Sequence, residues 1–219
     1  MNRVISIDGP AASGKSSVAK ALAKILGWSF VNSGEFYRAT TWAMLDAGVD
    51  VDNEVAVAEA AGSLELSAEM VDGISQVTIE GKPVASELMS SPEVNGAVSK
   101  VARVPAVREL VVERLRALAD AYEVTMEGRD IGSVVFPETP YKFYVDASEE
   151  VRQQRRAAQG LTDQIAQRDR ADSQRKSAPL TIPQGAVIID SSEMTIDEVV
   201  TEIGDNLENG DFDFGGPRP

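Results

Sequence analysis

Residues Gly9 to Ser16 read Gly-Pro-Ala-Ala-Ser-Gly-Lys-Ser, which fits the pattern G-x-x-x-x-G-K-[S/T] at every fixed position. These residue types at this spacing hold polyphosphate. Backbone N–H groups of a glycine-rich turn wrap phosphate oxygens, Lys15 neutralises their charge, and Ser16 offers a hydroxyl to Mg²⁺. Three further groups could do chemistry beside it. They are Ser33-Gly34 with Tyr37-Arg38, the run Gly128-Arg129-Asp130, and an arginine-rich stretch from Arg152 to Lys176. The chain has no histidine and no cysteine. Histidine acid–base chemistry, thiolate metal sites, cysteine nucleophiles and disulfides are therefore excluded.

The elements that must position these groups alternate between strand and helix. Arg3 to Ile7 is a short apolar, β-branched run suited to a buried parallel strand. After the loop, Val18, Leu22 and Ile25 fall at helical spacing and Gly27 can close the helix. Trp28–Val31 reads as a second strand. A helix then opens near Ser33, its expected N-cap, and runs to about Ala47. Residues 54–62 are helical, and Leu64–Ala68, Ser75–Glu80 and Pro83–Val84 read as short strands around Asp72-Gly73 and Gly81-Lys82 turns. Helices are expected over Pro92–Ala102 and Ala106–Ala121. Strands are expected at Glu123–Met126, Tyr141–Val145 and Ala186–Ile189, and a last helix at Ile196–Leu207. The resulting fold class is α/β: three layers around a central parallel sheet, with a small antiparallel insertion and a helical lid. In such sheets ligands bind beyond the C-terminal strand ends, and Gly9, Ser33, Arg129 and Asp130 all follow strand ends.

Net charge is −14 over 219 residues, and it is unevenly placed. Residues 190–219 carry nine acids and one base, whereas residues 152–176 carry seven bases and three acids. An acidic protein with one local arginine cluster is a poor partner for a nucleic-acid backbone but suits a small polyphosphate. No apolar run approaches membrane-spanning length and the N-terminus shows no secretory pattern, so the expectation is a soluble cytoplasmic protein with neither nucleic acid nor membrane as partner.

The loop alone does not say what is done with the nucleotide. A GTPase needs an Asn-Lys-x-Asp motif, and no asparagine here precedes a lysine. A mechanical ATPase usually carries an Asp-Glu pair after an apolar strand. The candidate strands end Asp146-Ala147 and Asp190-Ser191 instead. Transfer of phosphate to a small anionic acceptor needs no water-activating base; it needs cations around both substrates and a lid against water.

Four motifs in order resemble those of bacterial cytidylate kinase, a nucleoside monophosphate kinase family. They are Ile7-Asp8-Gly9 through Lys15, then Ser33-Gly34…Tyr37-Arg38, then Gly128-Arg129-Asp130-Ile131-Gly132 with Val135-Phe136-Pro137. The fourth is Arg168-Asp169…Asp172…Arg175…Ala178-Pro179-Leu180. The resemblance runs from Val4 to about Leu207. It implies transfer of the γ-phosphoryl of ATP to CMP, and to dCMP, with Mg²⁺. It divides the chain into a core (1–34 and 99–207), a monophosphate-binding insertion (35–98), a lid within the core (150–178) and a tail or linker (208–219).

The resemblance also assigns roles. Gly9, Pro10, Ala11, Ala12, Ser13, Gly14, Lys15, Ser16 and Ser17 would take ATP, helped by Arg155 and Arg156, with Ser16 toward the metal. Ser33 and Arg38 would contact the acceptor phosphate. Ser99, Arg108 and Asp130 would read the cytosine edge. Arg129 and Arg175 would hold the transferred group beside Lys15, and Arg168 and Asp172 would meet the ribose and close the lid. A carboxylate can accept from cytosine N4, whereas uracil presents a carbonyl there.

Alternatives stay open at this point: a UMP or AMP kinase on the same core, or a nucleotide-binding switch module. Glu35 stands where the family commonly has a small residue and is expected to face solvent. Arg152, Arg170 and Lys176 are expected on a solvated helix face. The family is usually monomeric, so a monomer is expected. Family forms fused to a C-terminal GTPase make residues 208–219 a candidate connector.

Overall fold

The computed structural model describes residues 3–158 and 180–210. Strand β1 (Val4–Asp8) is buried along its whole length, as a strand covered on both faces must be. It lies between β6 (Val124–Gly128) and β7 (Lys142–Asp146), parallel to both. Beyond β6 comes β2 (Ser29–Asn32), and beyond β7 comes β8 (Val187–Asp190), again parallel. Five parallel strands in the order β2-β6-β1-β7-β8 thus bring the ends of β1, β2 and β6 side by side.

Side chains alternate across this sheet with the period of two that a pleat imposes. Val4, Val31, Val124 and Met126 enter one core with Phe36, Val107, Val111 and Leu115. Ile5, Ile7, Phe30, Phe143 and Ile189 enter the opposite core with Val18, Leu22, Trp28, Val199 and Ile203. The first core is covered by α2 (Ser33–Asp46), α3 (Glu54–Ser63), α5 (Pro92–Val101) and α6 (Pro105–Ala121). The second is covered by α1 (Lys15–Leu26) and the last helix, which we number α8 (Ile196–Asn209). Helix α8 starts on a capping box: Thr195 and Glu198 satisfy each other's end of the first turn. Helix α7 (Glu149–Ala158) follows β7.

The hairpin β3 (Leu66–Val71) and β4 (Ile74–Ile79), with β5 (Lys82–Pro83), is antiparallel as expected. It does not form a sheet of its own, because β4 joins β2 in parallel at Phe30 and Ile74. Two short elements were not legible in the sequence: α4 (Ser86–Met89) and a π-helical turn (Ile131–Val135). Nor is Ser33 the N-cap of α2. Asn32 takes that place in extended backbone, its Oδ1 accepting from Gly34 N at 3.0 Å, and Ser33 becomes the first helical residue. Among the described residues, no helix is long and apolar enough to cross a membrane.

Candidate active site

The phosphate loop leaves β1 at Gly9 and enters α1 at Lys15, through Gly14 in the left-handed region (φ +92°). Four of the loop carbonyls are held by a cation or a hydroxyl. Gly9 O accepts from Arg129 Nη1 at 3.0 Å and Pro10 O from Lys15 Nζ at 3.0 Å. Ala11 O accepts from Arg152 Nη1 at 3.2 Å, and Ser13 O from Arg155 Nη1 at 3.2 Å and Ser191 Oγ at 2.9 Å. With the carbonyls engaged, the loop N–H groups and the N-terminus of α1 remain for an anion.

Lys15 is buried, with Nζ 3.8 Å from Glu127 Oε2. Ser16 Oγ donates to Glu127 Oε1 at 2.8 Å. Glu127, one residue from the end of β6, is the functional residue that reading the sequence missed. The sequence shows only an acid near the end of an apolar strand; its contacts with Ser16 and Lys15 are what mark it.

A cleft of about 310 Å³ opens beside the loop. It brings together Ala11, Ala12, Gly14, Lys15, Ser16, Ser17 and Arg156 with Ser33, Arg38, Ser99, Arg129 and Asp130, residues drawn from five separate stretches of chain. Of the other expected donor-side residues, Gly9, Pro10 and Ser13 act through carbonyls turned to cations. Arg155 is committed to Ser13 O and to Ser191, donating to its carbonyl at 2.6 Å. Arg168, Asp172, Arg175 and the rest of the expected lid beyond Ala158 lie outside the described residues.

On the acceptor side, Ser33 is buried against Gly128 so closely that a Cβ there would lie 2.4 Å from Ser33 Oγ. Arg38 reaches from α2 to Met89 O (2.9 Å) and Asn95 Oδ1 (2.8 Å), so the insertion holds one of its edges. Arg108, on α6, and Asp130 form a buried ion pair. Arg108 Nη1 has no hydrogen-bond partner among the described residues, and the guanidinium lies over the Tyr37 ring, 5.7 Å from its centroid. A buried guanidinium with an unused donor is costly unless a ligand supplies the acceptor. Ser99 lines the same corner from α5.

Two expectations are corrected. Glu35 is half-buried rather than turned to solvent. Burial and the neighbouring Glu127 raise its carboxyl above the usual range, opposed by Arg38 and Lys20. The cause is its place in the first turn of α2, which faces the end of β6. Arg152 does not lie on a free helix face: besides Ala11 O, its Nε donates to Ala147 O at 3.1 Å. It therefore ties the base of α7 to the loop. Asp8 is fully buried, and burial pushes its carboxyl up to about 7 against the pull of two backbone N–H bonds.

A resident metal cage is not what this site resembles. Among the described residues no cluster of three or more acidic, His or Cys ligands stands ready for a metal. The hard-oxygen pair Ser16 and Glu127 beside a phosphate loop does fit Mg²⁺, which prefers few protein ligands and takes the rest from phosphate and water.

Comparisons with known proteins agree with this geometry. A family model described as cytidylate kinase matches residues 5–209. A protein of Caldanaerobacter subterraneus subsp. tengcongensis named cytidylate kinase is 39% identical over 210 residues, covering 91% of this chain and 92% of its own. Proteins of the same name from Methylococcus capsulatus (38%, covering 90% and 93%) and Pseudomonas aeruginosa (37%, covering 96% and 97%) are similarly related.

Proposed function

The chain belongs to the cytidylate kinase family, and we propose from that membership and from the cleft that it transfers the γ-phosphoryl of ATP to CMP, giving ADP and CDP. The observation that carries this reading is the convergence of an anion site and a base-reading corner on one cleft. A phosphate loop with Lys15 stands on one side, and on the other stands a buried Arg108–Asp130 pair whose guanidinium still has a donor to give.

Cytosine suits that corner. Its N4 amino group donates to a carboxylate, and N3 and O2 accept from a hydroxyl or guanidinium. Asp130, Arg108 and Ser99 supply those groups. Uracil sets a carbonyl against Asp130, a buried mismatch that costs roughly 1–3 kcal/mol. Ser33 and Arg38 take the acceptor phosphate, which is already an anion and attacks without a general base. A chain without histidine is suited to such a reaction.

In the reaction, an oxygen of the CMP phosphate bonds to the γ-phosphorus as the bond to the β–γ bridging oxygen breaks, and ADP departs with that electron pair. Lys15 and Arg129, which bond the adjacent loop carbonyls of Pro10 and Gly9, stabilise the charge shared by the equatorial oxygens. Mg²⁺, which Ser16 and Glu127 would hold, supplies further neutralisation of the donor phosphates. By resemblance Arg175 would join them and Arg168 and Asp172 would meet the ribose, and the same resemblance carries dCMP over as a second acceptor. Lid closure keeps water from competing for the γ-phosphoryl. A cytoplasmic monomer completes the reading.

The test is product identification. Incubating the protein with ATP, Mg²⁺ and CMP and following ³¹P NMR should show CDP and ADP growing together. Phosphate release without CDP would overturn the proposal.

A further inference from the structure

Asp8 has no part in the chemistry above, yet it is a fully buried carboxylate at the end of the strand that feeds the phosphate loop. Both of its oxygens are used. Oδ1 accepts from Ile131 N and Oδ2 from Gly132 N, each at 2.7 Å. These two consecutive N–H groups belong to the turn that leaves Arg129 and Asp130. The next residue of the loop joins in: Gly9 O accepts from Arg129 Nη1. Two adjacent residues at the start of the phosphate loop therefore grip three of the four residues from Arg129 to Gly132. The remaining one is Asp130, whose side chain is turned to Arg108 and whose carbonyl accepts from Val134 N and Val135 N in the π-helical turn.

We infer that Asp8 is a positioning residue that sets the place of Arg129 and the base-reading Asp130 relative to the ATP-binding loop. The inference rests on the proposed function and deepens it. A backbone loop between β6 and the π-helical turn has no regular ladder to define it. Bonds from two successive amides to the two oxygens of one carboxyl fix both the height and the tilt of that segment, as a single bond does not. The packing agrees. A Cβ on Gly132 would lie 2.7 Å from Ser6 Oγ and 3.2 Å from Asp8 Oδ2, so the segment is pressed onto β1. Small displacements there move Asp130 with respect to the base and Arg129 with respect to the γ-phosphoryl together. Misplacement of reacting groups by about 1 Å can cost on the order of a hundredfold in rate.

The test is Asp8→Asn, which keeps the shape, retains one acceptor and sets an amide donor against an N–H. Steady-state kinetics with ATP and either CMP or UMP should show kcat for CMP reduced by about tenfold or more, with KM for ATP within roughly threefold of the parent. The CMP-to-UMP ratio of kcat/KM should fall by about fivefold or more, a change that partial unfolding cannot produce. Gly132→Ala, whose Cβ would push the same segment away from β1, should give the same split and decides the matter where Asp8→Asn does not fold. A folded variant with the parent's kcat and CMP-to-UMP ratio, or with equal losses on both acceptors, overturns the inference. Parent protein that fails to phosphorylate CMP overturns the proposed function and the inference with it. An active parent beside an unaltered variant overturns the inference alone.

Discussion

Asp130 carries the specificity argument, and its neighbours make the argument quantitative. It is buried, paired with Arg108, and presented to the same cleft as Ser99. Asp130→Asn removes the acceptor for cytosine N4 and introduces a donor that suits uracil O4. Steady-state kinetics should show kcat/KM for CMP falling roughly 10- to 100-fold, or about 1.4–2.7 kcal/mol, with a smaller loss for UMP. Parallel losses on both acceptors would mean that Asp130 does not read the base. At this scale much was legible in the sequence. Lys15, Ser16, Ser33, Arg38, Arg129 and Asp130 were named from motifs, and the structure gathers them around one cleft. Glu127 was missed because a single acid in a strand carries no spacing signal; only its contacts with Ser16 and Lys15 reveal it. Glu35 was misread because its direction depends on where α2 starts, and an N-cap at Asn32 rather than Ser33 shifts that start by one residue.

Elements hold these residues by less regular means than their own hydrogen-bond ladders. Helix α7 meets the phosphate loop through Arg152 and Arg155, whose guanidinium groups cap Ala11 O and Ser13 O. Ser191, at the end of β8, joins the same knot by bonding Ser13 O and Asp146 O. The base of the expected lid is thus attached to the surface that receives ATP. Arg152→Ala should loosen the loop before substrate binds. KM for ATP should rise about fivefold, the equivalent of one ordinary hydrogen bond, while kcat changes little. Unchanged KM would mean that Arg152 is a surface charge after all. The period-two strands and the amphipathic helices were readable because their apolar spacing is dictated by burial. The π-helical turn at Ile131–Val135 was not, because side-chain acceptors such as Asp8 define it and these are distant in sequence.

The whole molecule opens its cleft at one end of a parallel sheet and carries a buried carboxyl at the end of β1. Burial raises Asp8 from 3.8 to about 7. The folded protein therefore keeps that proton to higher pH than the unfolded chain. The resulting stabilisation is fully present below about pH 4 and is lost as pH rises through 7. Its size is on the order of 4 kcal/mol. Asp8→Asn has no such proton, so its melting temperature should gain on the parent's as pH goes from 5 to 8. A gap that does not move with pH would place the Asp8 carboxyl in the ordinary range. The order of elements and the strand ends followed from alternating strand and helix patterns. The attachment of the antiparallel hairpin to the parallel sheet through β2 and β4 did not, since it rests on one short pairing.

Phosphorylation of cytidylate by ATP is the reaction proposed for this cleft. It is tested most directly by coupled ADP release across CMP, dCMP, UMP, AMP and GMP at equal concentration. CMP should accelerate turnover most, dCMP should follow, and UMP should be slower by roughly tenfold or more, the size of one buried mismatch. Turnover no faster with CMP than with the purine monophosphates would contradict it.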